Sequence, residues 1–269
     1  MHRAATSCIA AGLLLAAAPA TAELTIPGSG NPEYVLGVLA KEYGARQGTP
    51  KVVIPPSTGT AGAIRDVLAA KTEVGRVGRP PSEAERAKGV AYTPIGRDAV
   101  VFVAGAGVTV RGVTRNQMVD AYTGKITDWR DLGGKSAPVR VIGREAGDSS
   151  RSAVAGHIPA FRDMVFGAGV KVVHLDPQMI ELLDRFDTSL GMLNRSALHA
   201  ARTKVVPLAL EGIEPTAESL ASGRYPIWLE FGFIHKAGVA LGPQARAFVA
   251  YVKSPEGARV LREHGVSPL

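Results

Sequence analysis

Val139-Arg-Val-Ile-Gly-Arg-Glu-Ala-Gly-Asp-Ser-Ser-Arg151 decides how the chain is read. Val139 to Ile142 has the short apolar pattern of a buried β-strand, Gly147 to Ser150 has loop composition, and a helix is expected to follow. A strand that feeds a helix through a tight polar loop is the repeating unit of an α/β fold. The same pattern recurs. Lys51-Val-Val-Ile54, Ala99-Val-Val-Phe-Val103, Lys171-Val-Val-His-Leu175 and Lys204-Val-Val-Pro-Leu208 are further candidate buried strands, and the alternation points to largely parallel sheets.

Between these strands the helices carry their own signals. Pro32 to Arg46 places Val35, Leu36, Leu39 and Tyr43 on one face, with Asn31 as the expected N-cap and Pro32 at the first helical position. Thr114-Arg-Asn-Gln117 is a capping box, and Gly124 closes the helix it opens. Asp176-Pro177 and Ser254-Pro255 announce two more helices by the same cap-then-proline logic. No long linker interrupts the pattern, so one large sheet or two lobes joined by crossing strands would both serve.

Composition narrows the class. With 269 residues, 46% of them hydrophobic, 31 Gly and 18 Pro, the chain can bury a real core and is not a disordered or low-complexity sequence. A net charge of +7 favours nucleic acid, acidic headgroups or small anions as partners, but 6% aromatic residues argue against a stacking platform for single strands. Residues 1–22 decide among these. His2 and Arg3 precede an apolar run from Ile9 to Ala18 and the small triplet Ala20-Thr21-Ala22, the layout of a Sec signal cleaved after Ala22. No twin-arginine pair or lipoprotein box accompanies it. Export would carry away Cys8, the single cysteine, leaving neither a disulfide nor a thiol nucleophile. No later apolar run reaches the ~18 residues of a membrane span. The expected product is periplasmic, without a nucleic-acid partner.

Three Gly/Ser/Thr loops each stand directly before an expected helix: Gly28-Ser29-Gly30-Asn31, Ser57-Thr58-Gly59-Thr60 and Gly147-Asp148-Ser149-Ser150. A helix N-terminus offers free backbone N–H groups and the positive end of a dipole, and hydroxyls beside it complete a cradle for an anion. Ordinary N-capping explains any one loop. Arg144, ending a strand just before the third, adds a guanidinium fork for the same ligand.

With these loops in view the chain resembles the substrate-binding proteins of phosphate ABC transporters. Gly28-Ser29-Gly30, Ser57-Thr-Gly-Thr60 and Arg144-Glu-Ala-Gly-Asp-Ser-Ser-Arg151 match that family's three ligand loops in order. Glu73-Val-Gly-Arg-Val-Gly-Arg79, Pro94-Ile-Gly-Arg-Asp98, Gly124-Lys-Ile-Thr-Asp-Trp129, Tyr225-Pro226 and the stretch from Ser254-Pro-Glu-Gly257 to Gly265 extend the likeness over nearly the whole chain after residue 22. The resemblance implies a type II periplasmic-binding-protein fold: two α/β lobes with mixed sheets flanked by helices, joined by two crossing hinge strands. Lobe 1 would hold 23–103 and 229–269, and lobe 2 would hold 104–228. The implied function is capture of a tetrahedral oxyanion, phosphate or phosphate-like, in the interlobe cleft for an ABC permease, by a monomer that needs no cofactor or metal. Ser29, Asn31, Ser57, Thr58, Thr60, Ser149 and Ser150 would contact the ligand. Arg144 would be the main charged donor, while Arg79 and Arg151 would either contact the ligand or fix the loops. Three positions depart from the family pattern: Pro32 stands where a ligand-binding Ser or Thr is usual, Gly78 replaces a serine, and Asp148 replaces another. Asp148 would pair with Arg79 or Arg151, cap its helix, or accept a hydrogen bond from a protonated ligand.

Two other readings compete. A two-lobed binding protein can present its closed form to a membrane sensor instead of a permease. Gly147-Asp148-Ser149 also resembles the nucleophile block of Gly-Asp-Ser hydrolases, but none of the six histidines has the aspartate three residues earlier that such enzymes need. No nucleotide-binding, esterase or zinc-helix motif appears either, so the chain is not expected to be an enzyme. The histidines after residue 22 are scattered singly, and Trp129 and Trp228 are expected in the core or hinge. Asp98 is open between a cleft contact and a structural cap.

Overall fold

The computed structural model describes residues 23–46, 48–201 and 203–269. The expected signal segment, residues 1–22, lies outside them. The chain opens with β1 (Leu24–Thr25), α1 (Glu33–Gly44), β2 (Val52–Val53), α2 (Gly59–Leu68), β3 (Val74–Val77) and α3 (Glu83–Ala87). A long strand, β4 (Val90–Ala104), leads to β5 (Gly112–Val113), α4 (Arg115–Thr123), β6 (Arg140–Arg144), α5 (Ser149–His157), β7 (Lys171–Val173), α6 (Asp176–Arg185), β8 (Ser189–Asn194) and α7 (Arg195–Ala201). After β9 (Val206–Pro207), β10 (Ala209–Leu210) and α8 (Ala217–Ala221), the chain returns along β11 (Trp228–Lys236) and ends in α9 (Pro243–Val252), α10 (Pro255–Glu263) and β12 (Ser267–Pro268).

The main sheet runs β3-β11-β4-β8-β6-β7, and β4 belongs to both of its halves. From Val90 to Ala99 it pairs with β11, and from Val100 onward with β8. Where the partners change, Ile227 and Tyr225 take over the contacts: the Val100 N–H donates to the Ile227 carbonyl, and the Tyr225 hydroxyl donates to the Val100 carbonyl at 3.0 Å. This sharing of one strand gives the mixed, two-lobed α/β architecture. The expectation of largely parallel sheets is corrected. Pairings of β4 and β11 are antiparallel, and parallel strand pairing joins β1 to β2, β5 to β10 and β6 to its two neighbours. The reason is that β11 and β8 enter beside β4 from the opposite end, a direction that apolar runs alone do not encode.

Local signals fared unevenly. Val35, Leu36, Leu39 and Tyr43 of α1 are all buried, as their spacing predicts, and Thr114 and Gln117 form the capping box that starts α4. Ser254 caps α10 by accepting from the Gly257 N–H. Asn31 does not cap α1, and Asp176 is the first residue of α6 instead of its cap. Both short polar side chains are drawn into tertiary contacts described below, which outweigh a single cap bond. Two of the expected buried strands are partly exposed: β7 is an edge strand with Lys171 and Val172 in solvent, and β9 is half-covered. Trp129 is buried and its indole N–H donates to the Thr188 carbonyl at 2.9 Å, whereas Trp228 is half-buried under the Arg97 guanidinium. No helix among the described residues is long and apolar enough to cross a membrane.

Asp98 sits on β4 just before the partner change and is almost wholly buried. It caps the start of α7 by accepting from the Ser196 N–H and hydroxyl, and it accepts from the Asn194 amide at 3.4 Å. Burial pushes its carboxyl up to about 7, against the pull of those hydrogen bonds. A folded pKa above the unfolded one means that the native state holds a proton the unfolded chain has lost, so stability falls as pH rises from about 4 to about 7. Urea unfolding between pH 5 and pH 8 should therefore show lower stability at pH 8, and Asp98→Asn should remove about 2–3 kcal/mol of that difference. A variant with an unchanged slope would show that Asp98 does not titrate in this window.

Candidate functional site: an interlobe cavity cradled by three helix-opening loops

Arg76 on β3 positions two of the three loops. Its fully buried guanidinium donates to the carbonyls of Ser29 (2.8 Å), Ile26 (2.5 Å) and Pro55 (2.6 Å) and pairs with Glu33 at 3.1 Å. The backbone reinforces the tie. The Ser29 N–H donates to the Arg76 carbonyl, and the Thr58 N–H to the Gly28 carbonyl. Gly28 has φ +142°, and a Cβ there would overlap the Arg76 carbonyl, so only glycine fits. Burial lowers the Arg76 pKa and raises that of Glu33, each against the attraction of the other.

The third loop follows β6 across the cleft, and all three loops line one cavity of about 260 Å³. Ser29, Asn31, Ser57, Thr58, Thr60, Arg144, Asp148 and Ser149 face it, together with Glu145, His174 and Asp176. The N-termini of α2 and α5 open onto it, as does the loop before α1. Ser57 Oγ accepts from the Gly59 N–H (3.2 Å) and Thr60 Oγ1 from the Gly78 N–H (3.1 Å), so both hydroxyl protons are left to be donated.

Arg144 is 4% exposed and lies between two carboxylates, Asp148 at 2.7 Å and Asp176 at 3.1 Å. Burial works against its charge, but these two neighbours outweigh it and hold the Arg144 pKa above its ordinary value. The 3.1 Å contact to Asp176 is not aligned as a hydrogen bond. Among the described residues, Arg144 Nε and Nη1 and Asp176 Oδ2 have no hydrogen-bond partner. Burial, partly offset by Arg144, pushes the Asp176 carboxyl up to about 6.

A chain of buried amides and hydroxyls crosses the cleft. Asn31 donates to Ser150 Oγ (2.7 Å) and to Asn194 Oδ1 (3.1 Å), accepts from Ser29 Oγ (3.1 Å), and Ser150 donates to Asn194 at 2.7 Å. Asn194 in turn donates to Asp98. Ser150 therefore belongs to this bridge and is absent from the cavity lining.

Besides Ser150, two more of the expected site residues are not brought to the cavity. Arg79 grips Glu85 with two hydrogen bonds (2.7 and 2.8 Å), which hold the Glu85 carboxyl down to about 2, and so anchors the start of α3. Arg151 spans the carbonyls of Arg144 (3.2 Å) and Met164 (2.8 Å) and lies over the Phe166 ring. Asp148 pairs with Arg144, where Arg79 or Arg151 was expected, and it also caps α5 by accepting from the Arg151 N–H at 3.0 Å. Arg76, Asp176 and Asn194 escaped the sequence reading. For Arg76 a signal existed, because a charge inside a fully buried strand must be paired, but the sequence does not say which of the two arginines, Arg76 or Arg79, is inside.

A family model described as the PBP superfamily domain matches residues 15–256. The chain belongs to this superfamily. It is 26% identical over 163 residues to the phosphate-binding protein PstS of Bacillus subtilis (strain 168), a match covering 60% of this chain and 51% of that one, so the chain spans about half the length of that relative. It is 20% identical over 210 residues to the protein of the same name from Borreliella burgdorferi, covering 76% and 75% of the two chains. Among solved structures, a phosphate ABC transporter substrate-binding protein with bound phosphate from Clostridium perfringens superposes with a TM-score of 0.82 at 22% identity, covering 92% of this chain and all of that one. An ABC-type phosphate transport receptor from Vibrio cholerae gives 0.68 at 22% identity, with 91% and 99% covered. These superpositions establish the two-lobed superfamily fold.

Arg76→Ala would strand Glu33 and three loop carbonyls in the interior. Chemical denaturation should show a loss of about 3–5 kcal/mol, and Arg76→Lys should recover little because an ammonium cannot reach four divergent acceptors. Near-wild-type stability for the alanine variant would remove Arg76 as the anchor of the loops.

Proposed function

We propose that this chain is a periplasmic solute-binding protein, exported by a Sec signal cleaved after Ala22, that captures a small tetrahedral oxyanion, phosphate or a phosphate-like species, and delivers it to an ABC permease. The observation that carries this reading is the convergence of three helix-opening loops and one buried arginine on a single cavity. Such a site offers an oxyanion backbone N–H groups, hydroxyls and a charged fork, and it suits binding without turnover. The relatives named above, called phosphate-binding proteins, support the same ligand class. In this reading 23–103 with 229–269 and 104–228 form the two lobes. They close by rotation about the segments near Asp98 to Val103 and Tyr225 to Phe231, and the protein acts as a monomer. Ser57, Thr58, Thr60 and Ser149 donate to the ligand, Ser29 fixes Asn31 beside it, and Arg144 supplies the positive charge.

Isothermal calorimetry against phosphate, arsenate and sulfate tests the proposal: one ligand per folded chain is expected, and no heat from any phosphorus or sulfur oxyanion would end it. Arg144→Ala should weaken binding by about 2–5 kcal/mol with the fold intact, and Arg144→Lys nearly as much. Wild-type affinity in the alanine variant would move the site elsewhere.

Asp148 opposes an anion in the same cavity. At ~5 Å and an effective dielectric of ~20, the repulsion is roughly 3 kcal/mol. Serine keeps the α5 cap, so Asp148→Ser should tighten phosphate and sulfate alike, by about tenfold or more in calorimetry. A loss confined to phosphate would show instead that Asp148 accepts the ligand's proton.

A further inference from the structure

A second and larger pocket, of about 480 Å³, lies away from the cleft and shares no lining residue with it. One wall is the face of α7 that carries Arg195, Leu198 and His199, which are neighbours at helical spacing. The segment around β9 and the turn that holds Glu214 form the others, and Arg111 joins them from just before β5. The position touches the hinge strand. Pro207 of β9 pairs with Val103 of β4, and Arg195 lies against Gly265 near the chain terminus, where a Cβ would overlap its guanidinium.

Positive charge is in excess here. Two arginines and a histidine line the pocket against one acid, Glu214. Arg195 is half-buried, and burial lowers its pKa. Among the described residues Asp98 is the carboxylate that acts the other way, and burial pushes that carboxyl itself up to about 7. Arg195 Nη1 is turned away from solvent and has no partner among the described residues, so it makes no contact with a ligand, but the charge is shared over the whole guanidinium. His199, one turn further on, is held below its ordinary value by burial and then by the charges of Arg195 and His264. Basic groups that depress one another mark a place where an anion is missing. The remaining wall is apolar. Leu198 and Val205 pack on the core from outside and line the pocket with Val206 and Pro207. An inorganic ion would leave those carbons against water, whereas the volume is that of a site for a small organic molecule.

From this arrangement we propose that the pocket beside the hinge strand is a second binding site, which takes an amphipathic organic anion, a monocarboxylate carried on a hydrocarbon body. The carboxylate sits in the combined field of Arg111, Arg195 and His199, and the hydrocarbon lies against Leu198, Val205 and Pro207. The site is separate from the three-loop cavity and does not depend on what that cavity binds.

The test is calorimetry of the unmodified protein with octanoate, butyrate, octan-1-ol and octylamine, in excess phosphate throughout. Octanoate should bind roughly tenfold or more tightly than octan-1-ol and octylamine, which share its chain but lack or reverse its charge. It should exceed butyrate by roughly tenfold as well, since butyrate keeps the charge and loses four methylenes. Arg195→Gln and, from a different element, Arg111→Gln, each checked for fold by circular dichroism, should weaken octanoate by roughly fivefold or more. Equal affinity for octanoate and octan-1-ol, equal affinity for octanoate and butyrate, or no heat from octanoate with folded protein would overturn the proposal. Wild-type octanoate affinity in either folded variant would overturn it too, because the binding would then lie elsewhere. Arg111 is exposed, so its variant decides the location even if the Arg195 variant does not fold.

Discussion

The site depends on one buried guanidinium. Arg76 is inaccessible to solvent, and its donors go to Ile26, Ser29 and Glu33 along the first loop and the start of α1, and to Pro55 just before the second loop. Burying a charge is costly, and its surroundings must return the hydration it loses. Here the return comes mostly from main-chain carbonyls, so the interaction fixes backbone positions more than side-chain ones. That is what an anion cradle made of helix-opening loops requires, because its donors are backbone N–H groups and short hydroxyls with no reach of their own. The two loops of the first lobe are therefore rigid partners, and the third loop approaches them from the far side of the cleft.

Arg144 occupies the opposite situation. Arg76 is saturated, whereas Arg144 lies beside two carboxylates and still has Nε and Nη1 without acceptors. The pairing with Asp148 and Asp176 keeps the fork charged inside a buried site and fixes its plane, at the cost of diluting the positive field that a multiply charged anion would feel. Electrostatics here favour geometry over raw attraction. A ligand gains from the fork only if it also meets the acidic side of the site on acceptable terms, which makes the carboxylates determinants of specificity.

Much of this was legible in the sequence, and the illegible parts have a common cause. Signals confined to a few neighbouring residues, such as the Thr114 to Gln117 box, the apolar face of α1 and the Ser254 cap, were realised as written. The three loops were recognisable because a helix-opening loop is a local pattern too. Strand direction was not, since β4 pairs with β11 and β8 from distant parts of the chain. The same limit misassigned short polar side chains. Asn31 and Asp176 have cap-forming chemistry in cap-like positions, but Asn31 is taken by Ser150 and Asn194, and Asp176 by Arg144. Arg79 and Arg151 were open between touching the ligand and fixing the loops, and only the fold reveals Glu85 and the Met164 carbonyl as their partners.

The glycine at 78, one of the departures from the family pattern, is matched to the asparagine at the end of the first loop. A Cβ on Gly78 would stand 2.7 Å from both Asn31 Oδ1 and Ser29 Oγ, and 3.0 Å from Ser149 Oγ. These distances leave no room for the serine that the family pattern places there unless the asparagine withdraws. Asn31, for its part, uses that room to cross the cleft: its amide reaches Ser150 and Asn194 on the far side, and Asn194 continues to Asp98 at the point where β4 changes partners. A small residue at 78 and a long amide at 31 are thus matched. In place of a side chain at 78, a buried bridge ties the first loop directly to the hinge strand. Closure of the two lobes then makes hydrogen bonds of its own, apart from those made by any ligand, and the cavity that closure defines is shaped by protein contacts on its inner side and left to the ligand on the side of Arg144 and Asp176.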